Sequence, residues 1–523
     1  MIDIEDIDYE VIWEPLPDFE GHASSQSLAV VCDCNEVLYD GSRGPGKTDT
    51  QLMRFRSLVG LGYGKHLRGV ILDREYKGLD DMVAKSEKHF FAFNDGAKFK
   101  KSKGDYKWTW PSGEELLFRV IKRESDYLKF HGQEFAFIAW NELTKYPNRK
   151  IYDLMKSTNR SGFLPVKHTP TSKVTGKYLT EDEQPLPPIP LQIFATTNPW
   201  GPGHSWVKEQ FIDGADPGEI IYKTTNVFNP RTKKRENVTT TQTRIFGTYK
   251  ENIYLDAAYI AGLENETDPE RRKAWLLGDW NIRAGGMFND IWKESVHIVE
   301  NFNVPANWRI DRCFDWGSSK PFSVGWFAEA NGESVKMPNG TYWTPARGSI
   351  IRIDEWYGTT GSVNDGLRLS TPDIAGGILE REMTMLTSGM IKTIPAAGVA
   401  DPSIFSATLG VDVETLANKY EAEGVDWLCV RFGKDSRKNG WQIMRDAMRN
   451  SITKEGPGLY VTKRCKHAIK FIPDTPRDEE NPDDVDTDCE DHLQDEFRYK
   501  MLDASNKWSG KIKTKFAKSN QSR

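Results

Sequence analysis

No apolar run of membrane-spanning length occurs in the 523 residues, so no transmembrane helix is expected. The first residues are acidic, the opposite of the basic start of a secretory leader. Cysteine is scarce: six residues, at Cys32, Cys34, Cys313, Cys429, Cys465 and Cys489. That density argues against a disulfide-stapled scaffold and is expected of an intracellular chain with reduced thiols. Cys465-x-His467 and Cys489-x-x-His492 fit no common zinc template, and free core thiols are the plainer reading. No charge of one sign dominates either. The net charge of -6 conceals a stretch dense in Asp and Glu at 474–496 and a Lys-bearing end at 505–523. Such an end suits contact with a polyanion, or is a solvated terminus. What is present, 28% charged and 11% aromatic residues with 17 Trp, is a globular composition. The length suits roughly two or three domains.

The most informative stretch is Val37-Leu38-Tyr39-Asp40-Gly41-Ser42-Arg43-Gly44-Pro45-Gly46-Lys47-Thr48. A short apolar strand runs into G-x-x-x-x-G-K-T ahead of a helical segment, which is the context of a phosphate-binding loop. Gly41, Gly44 and Gly46 permit backbone shapes that a side chain blocks, so that the N–H groups of Ser42 to Thr48, Pro45 excepted, can converge on phosphate oxygens. Lys47 brings a point charge to the β- and γ-phosphates and Thr48 a hydroxyl for Mg²⁺, so ATP with Mg²⁺ is the expected cofactor pair. Arg43 is either an arginine finger supplied by the same chain or a surface arginine paired with an acid.

Apolar runs at 69–73, 115–121 and 135–140 read as further strands. The last ends in Asn141-Glu142, where a nucleotide hydrolase carries its acidic pair. Glu142 is the expected general base; its structural alternative is an acid at a helix start. Asn141 can accept a hydrogen bond through its amide oxygen but brings no charge. Leu191 to Thr196 is another strand, and Thr197-Asn198 at its exit suits sensing of the γ-phosphate. Residues 160–190 and 229–244 read as irregular stretches, the second holding Arg231-Thr232-Lys233-Lys234-Arg235, which suits either a phosphate backbone or solvent.

Gly285-Gly286 marks a boundary, giving residues 1–284, then 285–503, then a basic tail at 504–523. In the second part, strands at 310–317, 323–327 and 350–357 precede a helix at 374–385, the order of a ribonuclease-H-like α/β domain. Asp315 lies in the first strand and Asp401 at the end of a later one (Ala397 to Ala400). Asp491 and Asp495 share one face of a helix read over 490–499. Carboxylates gathered from separate segments are what two-metal phosphodiester cleavage requires. Asp354 and Glu355 form a further acidic pair with no assigned role.

Taken together, the loop Gly-Ser-Arg-Gly-Pro-Gly-Lys-Thr, the strand ending Trp-Asn-Glu, Thr-Thr-Asn-Pro, and Trp275 to Trp280 followed by Gly285-Gly286-Met287-Phe288 resemble the large terminase subunit of tailed bacteriophages over about residues 25–505. The resemblance implies an ASCE-type P-loop ATPase followed by a ribonuclease-H-like nuclease. It implies that Asp315 and Asp401 hold divalent ions, Mg²⁺ or Mn²⁺, with a third ligand from Asp491, Asp495 or, less favoured, His492. Double-stranded DNA, a portal protein, a small terminase subunit and a homo-oligomeric ring, a pentamer, are the partners it implies. It further implies action in the bacterial host cytoplasm, outside the mature virion. The competing readings are a P-loop helicase or repair ATPase with a structural C-terminal half, and a nucleotide-gated scaffold.

Overall fold

Strand β1 (Glu36–Gly41) is buried at all but its first residue, as a strand covered on both faces must be. In this computed structural model residues 11–230, 232–282, 286–361, 365–406, 414–429, 433, 435–478, 481, 483–485 and 491–508 are described. The chain divides into two compact units, residues 1–284 and 285–523.

The first unit is built on a nine-stranded sheet. Beyond β1 it contains β2 (Arg68–Asp73), β3 (Lys98–Lys100), β4 (Tyr106–Thr109), β5 (Glu115–Val120), β6 (Phe137–Trp140), β7 (Gln192–Thr196), β8 (Ile220–Asn229) and β9 (Lys234–Gly247), in the order β3-β4-β5-β2-β6-β7-β1-β9-β8. The six central strands β5 to β9 in that order are parallel; the edges are antiparallel. The register puts Tyr39 beside Thr196, Trp140 beside Ala195 and Leu72 beside Trp140. The residues after these strand ends therefore meet at one edge, where an open α/β sheet binds its ligand. Helices α1 (Ser25–Val31), α2 (Lys47–Arg56) and α3 (Tyr76–Ala92) flank the sheet strands.

Residues 160–190 are irregular apart from a helical turn at Pro165–His168. Residues 229–244 are not: they turn at the tip of an antiparallel hairpin, β8 and β9, and run down its second strand. As far as Thr240 the Thr-, Asn- and Lys-rich strands are exposed on both faces, so they lack the apolar alternation by which a strand is recognised.

The second unit has a seven-stranded sheet made of β10 (Ile298–Val299), β11 (Arg309–Asp315), β12 (Ser323–Glu329), β15 (Ile350–Tyr357), β16 (Gly398–Ala400), β17 (Trp427–Cys429) and β18 (Leu459–Thr462), with a separate small pair, β13 (Val335–Lys336) and β14 (Tyr342–Trp343). Its order is β10-β18-β15-β12-β11-β16-β17, with β11, β12 and β15 antiparallel and β16 parallel to β11. The helix expected at 374–385 spans Thr371–Thr387, opened by a Ser370 cap with Pro372 in its first turn. The last helix spans His492–Trp508, longer than the expected 490–499, and packs on β11, β12 and β16. Its first residues thus lie over the sheet, and it continues through residues 504–508, where a tail is expected from the sequence. Gly285, Arg231, Cys489 and Glu490 lie outside the described residues, as do residues 509–523.

Candidate functional site

At the edge of the first sheet, Gly46 takes φ 82° immediately before α2, and Gly41 takes φ 112° at the end of β1. A Cβ on Gly41 would lie 2.0 Å from the Gly247 carbonyl, so no other residue fits there. The loop is held from distant segments. Gln26 Nε2 donates to the Gly46 carbonyl (3.0 Å), Tyr39 Oη to that of Pro45 (3.2 Å) and Asn252 Nδ2 to that of Gly44 (2.6 Å). Tyr249 N–H donates to Ser42 Oγ (2.6 Å). With these carbonyls engaged from behind, the loop is preorganised to turn its N–H groups toward a ligand.

Lys47 is buried and donates to the Ser42 carbonyl (2.6 Å) and to Asn198 Oδ1 (2.9 Å). Burial lowers its ammonium to about 8, against the pull of Glu142 and Asp40. Asn198 in turn donates from its backbone N–H and from Nδ2 to the Glu142 carboxylate, at 3.2 Å each. One amide therefore joins the loop lysine to the acid expected to act as base. Glu142 sits at φ 56°, a left-handed conformation that a non-glycine residue adopts at a cost of about 1–3 kcal/mol and that is typical of functional turns. The Thr48 hydroxyl is half-buried and makes no bond to a described residue. Thr197 is carried elsewhere: its hydroxyl meets Thr144 Oγ1 (2.7 Å), fixing the turn after Glu142 instead of facing the loop. The Arg43 guanidinium lies 3.5 Å over the Trp275 ring, and its backbone N–H donates to the Trp275 carbonyl (2.8 Å). Burial lowers Arg43 from its usual range while Glu142 opposes.

The charge missing at position 141 lies one strand away. Asn141 Nδ2 donates to Asp73 Oδ2 (2.7 Å) at the end of β2, and Lys145 Nζ meets the same oxygen at 2.9 Å. A carboxylate only accepts, so the nitrogen of the Asn141 amide must face Asp73 and its oxygen is left as the acceptor on the other side. Restoring the usual acid is therefore expected to harm this protein. Asn141→Asp replaces the donor with a second buried carboxylate and should cost roughly 2–4 kcal/mol. Thermal melts would show it, and the double variant Asp73→Asn/Asn141→Asp should recover part of the loss.

Asp40, wholly buried below the loop, accepts from Trp280 Nε1 (2.6 Å) and pairs with Arg244 at 3.4 Å. Burial outweighs these partners and lifts its carboxyl from 3.8 to about 6. A raised folded value favours the protonated form, so this contribution is fully present below pH ~4 and is lost as pH rises through ~6. Asp40→Asn removes the titration. The stability of the native chain relative to that variant should fall by about 3 kcal/mol between pH 4 and 7, read by urea titration at each pH.

In the second unit, Asp315 ends β11, and the Asp401 N–H donates to the Phe314 carbonyl (2.9 Å), which brings the ends of β11 and β16 together. Asp401 accepts from Ser403 N–H (2.8 Å) and Oγ (2.7 Å). From the last helix, His492 Nδ1 meets Asp315 Oδ2 at 3.0 Å. Arg437 forks across three acids, reaching Asp484 (2.7 Å), Asp491 (3.1 Å) and Asp495 (3.2 Å), and Arg498 also holds Asp495 (3.0 Å). Burial holds the Asp315 carboxyl well above the usual range, reinforced by the charges of Asp495, Asp401 and Asp491. Asp491 is raised by burial and by Asp495, while His492 and Arg437 pull it back. Asp401, Asp491 and Asp495 thus each act through their charge on Asp315.

The donor set, carboxylate oxygens whose charges repel one another in a buried place, is that of a hard divalent cation. Among the described residues no group of three or more His, Cys, Asp or Glu side chains is arranged to hold a metal ion as it stands. Arg437 occupies Asp491 and Asp495, and Asp401 is turned to Ser403. Glu355, of the second acidic pair, accepts from the N–H groups of His467 (2.6 Å) and Ala468 (3.2 Å) and anchors the helix Lys466–Asp474. Arg437, Asp484, Asp73, Lys145 and Gln26 carry no motif, because each acts on residues far away in sequence.

Residues 38–295 match the family described as the N-terminal part of the T4-like virus type of terminase large subunit. No curated protein matches the chain. Among solved structures, the large terminase of the thermophilic bacteriophage D6E is 14% identical, with 92% of this chain and 98% of that one covered and a TM-score of 0.34. The HK97 bacteriophage large terminase is 10% identical over 91% and 92% of the two chains, with a TM-score of 0.39. The P22 large terminase nuclease domain is 16% identical and covers 42% of this chain and 92% of its own, with a TM-score of 0.29.

Proposed function

We infer that this chain, whose residues 38–295 belong to the large-terminase family, is the motor and nuclease of viral genome packaging. ATP hydrolysis in the first unit drives double-stranded DNA into a procapsid, and the second unit cuts concatemeric DNA. The observation that carries the motor reading is the relay Lys47–Asn198–Glu142, which ties the phosphate loop to a single acid through one amide.

In this mechanism the backbone N–H groups of the loop and Lys47 cradle the phosphates of ATP, and Thr48 with the Asn141 oxygen would hold Mg²⁺. Glu142 takes the proton of the attacking water. Arg43, parked on Trp275, is within the electrostatic reach of Glu142 and supplies positive charge to the leaving phosphates. On losing the γ-phosphate, Lys47 returns to Asn198, which shifts Glu142 and, through Thr197 and Thr144, the turn behind it.

In the nuclease, Asp315 and Asp401, with Asp491 and Asp495, would hold two divalent ions, Mg²⁺ or Mn²⁺. Such ions, when bound, activate water and stabilise the leaving oxygen of an in-line displacement. The chain's own part is to bring four carboxylates to one place and to neutralise two of them with Arg437 until cations arrive. Contacts to DNA are mostly to phosphate, so binding falls steeply with salt. A homo-oligomeric ring, a pentamer, forms on the portal, with a small subunit selecting the DNA, in the bacterial cytoplasm and outside the mature virion. Plasmid cutting in Mn²⁺ separates this reading from a helicase with a structural C-terminal half: Asp315→Ala/Asp401→Ala should abolish cutting, and intact cutting would remove the nuclease from the account.

A further inference from the structure

The hairpin β8–β9 stands out as an element that no core explains. Its base is held by the sheet: β1 pairs with β9 only from Gln242 onward, and Asn35 bonds Thr241 just before it. Beyond that point, from Lys223↔Thr240 to Asn229↔Lys234, the two strands pair only with each other. At about 3.4 Å per residue this ribbon projects roughly 24 Å. Along it only Asn229 and Glu236 are even partly buried, and Phe228 near the tip is 59% exposed. Two-stranded hairpins exposed on both faces are marginal in water, so this one is expected to be covered in use.

Its charge says by what. Lys223, Lys233, Lys234 and Arg235 lie on the ribbon against a single acid, Glu236, in a chain whose net charge is -6. None of the four forms a salt bridge with a described residue; Lys223 rests on Gln242 (2.9 Å) and Arg235 on Asn226 (2.6 Å). The contrast within the same unit is direct. The recess lined by Arg68, Arg119 and Lys129 is neutralised by Glu115, Asp105 and Asp126.

Alternation puts Thr224 and Thr239, Asn226 and Asn237, and Phe228 and Arg235 on one face, and Lys223 and Lys234 on the other. Thr224 Oγ1 meets Thr239 Oγ1 (2.9 Å) and Asn226 Nδ2 donates to Asn237 (2.8 Å), so the first face is a stiffened row of small polar groups that ends at the tip in Phe228 and Arg235. A two-stranded ribbon is of the width that the B-DNA major groove admits, about 12 Å.

We propose that the β8–β9 ribbon is a grip for duplex DNA, seated along a groove with Lys223, Lys233, Lys234 and Arg235 on the phosphates. It rests on the packaging reading and names the surface of the first unit that holds the DNA. The test is fluorescence anisotropy of a labelled 40-bp duplex (about four helical turns) with the full chain in EDTA, over a series of NaCl concentrations. The variants are Lys233→Ser/Lys234→Ser/Arg235→Ser and the single reversal Lys234→Glu, each checked by its melting temperature.

The triple variant should lose roughly ten- to a hundredfold in affinity at 0.1 M salt, with a log–log salt slope shallower by about 2–3. Lys234→Glu should lose affinity in the same direction. A triple variant with unchanged affinity and slope, beside a native chain that binds, would overturn the grip and leave the packaging reading standing. A native chain that binds no duplex at any salt would remove both. If the variants keep DNA affinity and instead lose self-association in sedimentation, the ribbon is a contact between copies and the proposal fails.

Discussion

Glu142→Gln is expected to lower steady-state ATP hydrolysis by about two to four orders of magnitude, the usual weight of a general base. Nucleotide affinity should change little, because glutamine keeps the length of the side chain and one acceptor oxygen for Asn198. The geometry makes the separation sharp. Glu142 and Lys47 are joined through the Asn198 amide, whose Oδ1 serves the lysine and whose Nδ2 serves the acid. Loss of the carboxylate therefore removes the proton acceptor without releasing the lysine. Turnover is measured in steady state and affinity with a fluorescent nucleotide. A variant that hydrolyses ATP within a few-fold of the native rate would make Glu142 a turn residue held at φ 56° for packing alone.

Asp315→Asn is expected to abolish DNA cutting, by about three orders of magnitude or more, and to leave ATP turnover intact. The same change should not destabilise the second unit. Burial and three neighbouring acids already disfavour the ionised form of Asp315, so the neutral amide relieves repulsion, and it can still accept from His492. The sign with pH follows. A carboxyl raised in the folded state contributes stability at low pH and loses it as pH rises through its folded value. The native chain should therefore gain melting temperature from added Mn²⁺ at neutral pH, and Asp315→Asn should gain less while melting higher in EDTA. Higher stability with lost activity is the pattern of a site whose acids are held together for function. A large drop in melting temperature with cutting retained would mean that Asp315 is a structural acid.

The glycine loop, the strands that feed it and Glu142 were legible because parallel strands buried on both faces are written as apolar runs, and β1, β6 and β7 end where those runs end. Asp315 and Asp401 were legible as acids at strand ends, yet their meeting was not: it depends on β16 lying parallel beside β11, a pairing between segments some eighty residues apart. The same limit hid Asp73, whose bond to Asn141 crosses from one strand end to the next and supplies the charge that the motif at 141–142 lacks. It also hid Arg437, which lies on the helix Ser436–Thr453 with nothing in its neighbourhood to mark it. Thr197 was legible as a hydroxyl at a strand exit, but its bond to Thr144, more than fifty residues away, was not. The ribbon is illegible in the sequence for a physical reason, since its projecting part, with no buried face, leaves no hydrophobic period to find.

The central claim is that one chain carries a nucleotide-driven motor and a separate divalent-metal nuclease. The most direct measurement is a crystal structure of the full chain with a non-hydrolysable ATP analogue and Mn²⁺, read by anomalous scattering at the manganese edge. The account predicts triphosphate on the N–H groups of the loop at Gly41 to Thr48, with Lys47 moved from Asn198 onto phosphate. It also predicts manganese between Asp315 and Asp401, with Arg437 drawn off Asp491 or Asp495. Manganese bound only at the nucleotide, with Asp315 still on His492 and Arg437 still across its three acids, would contradict it.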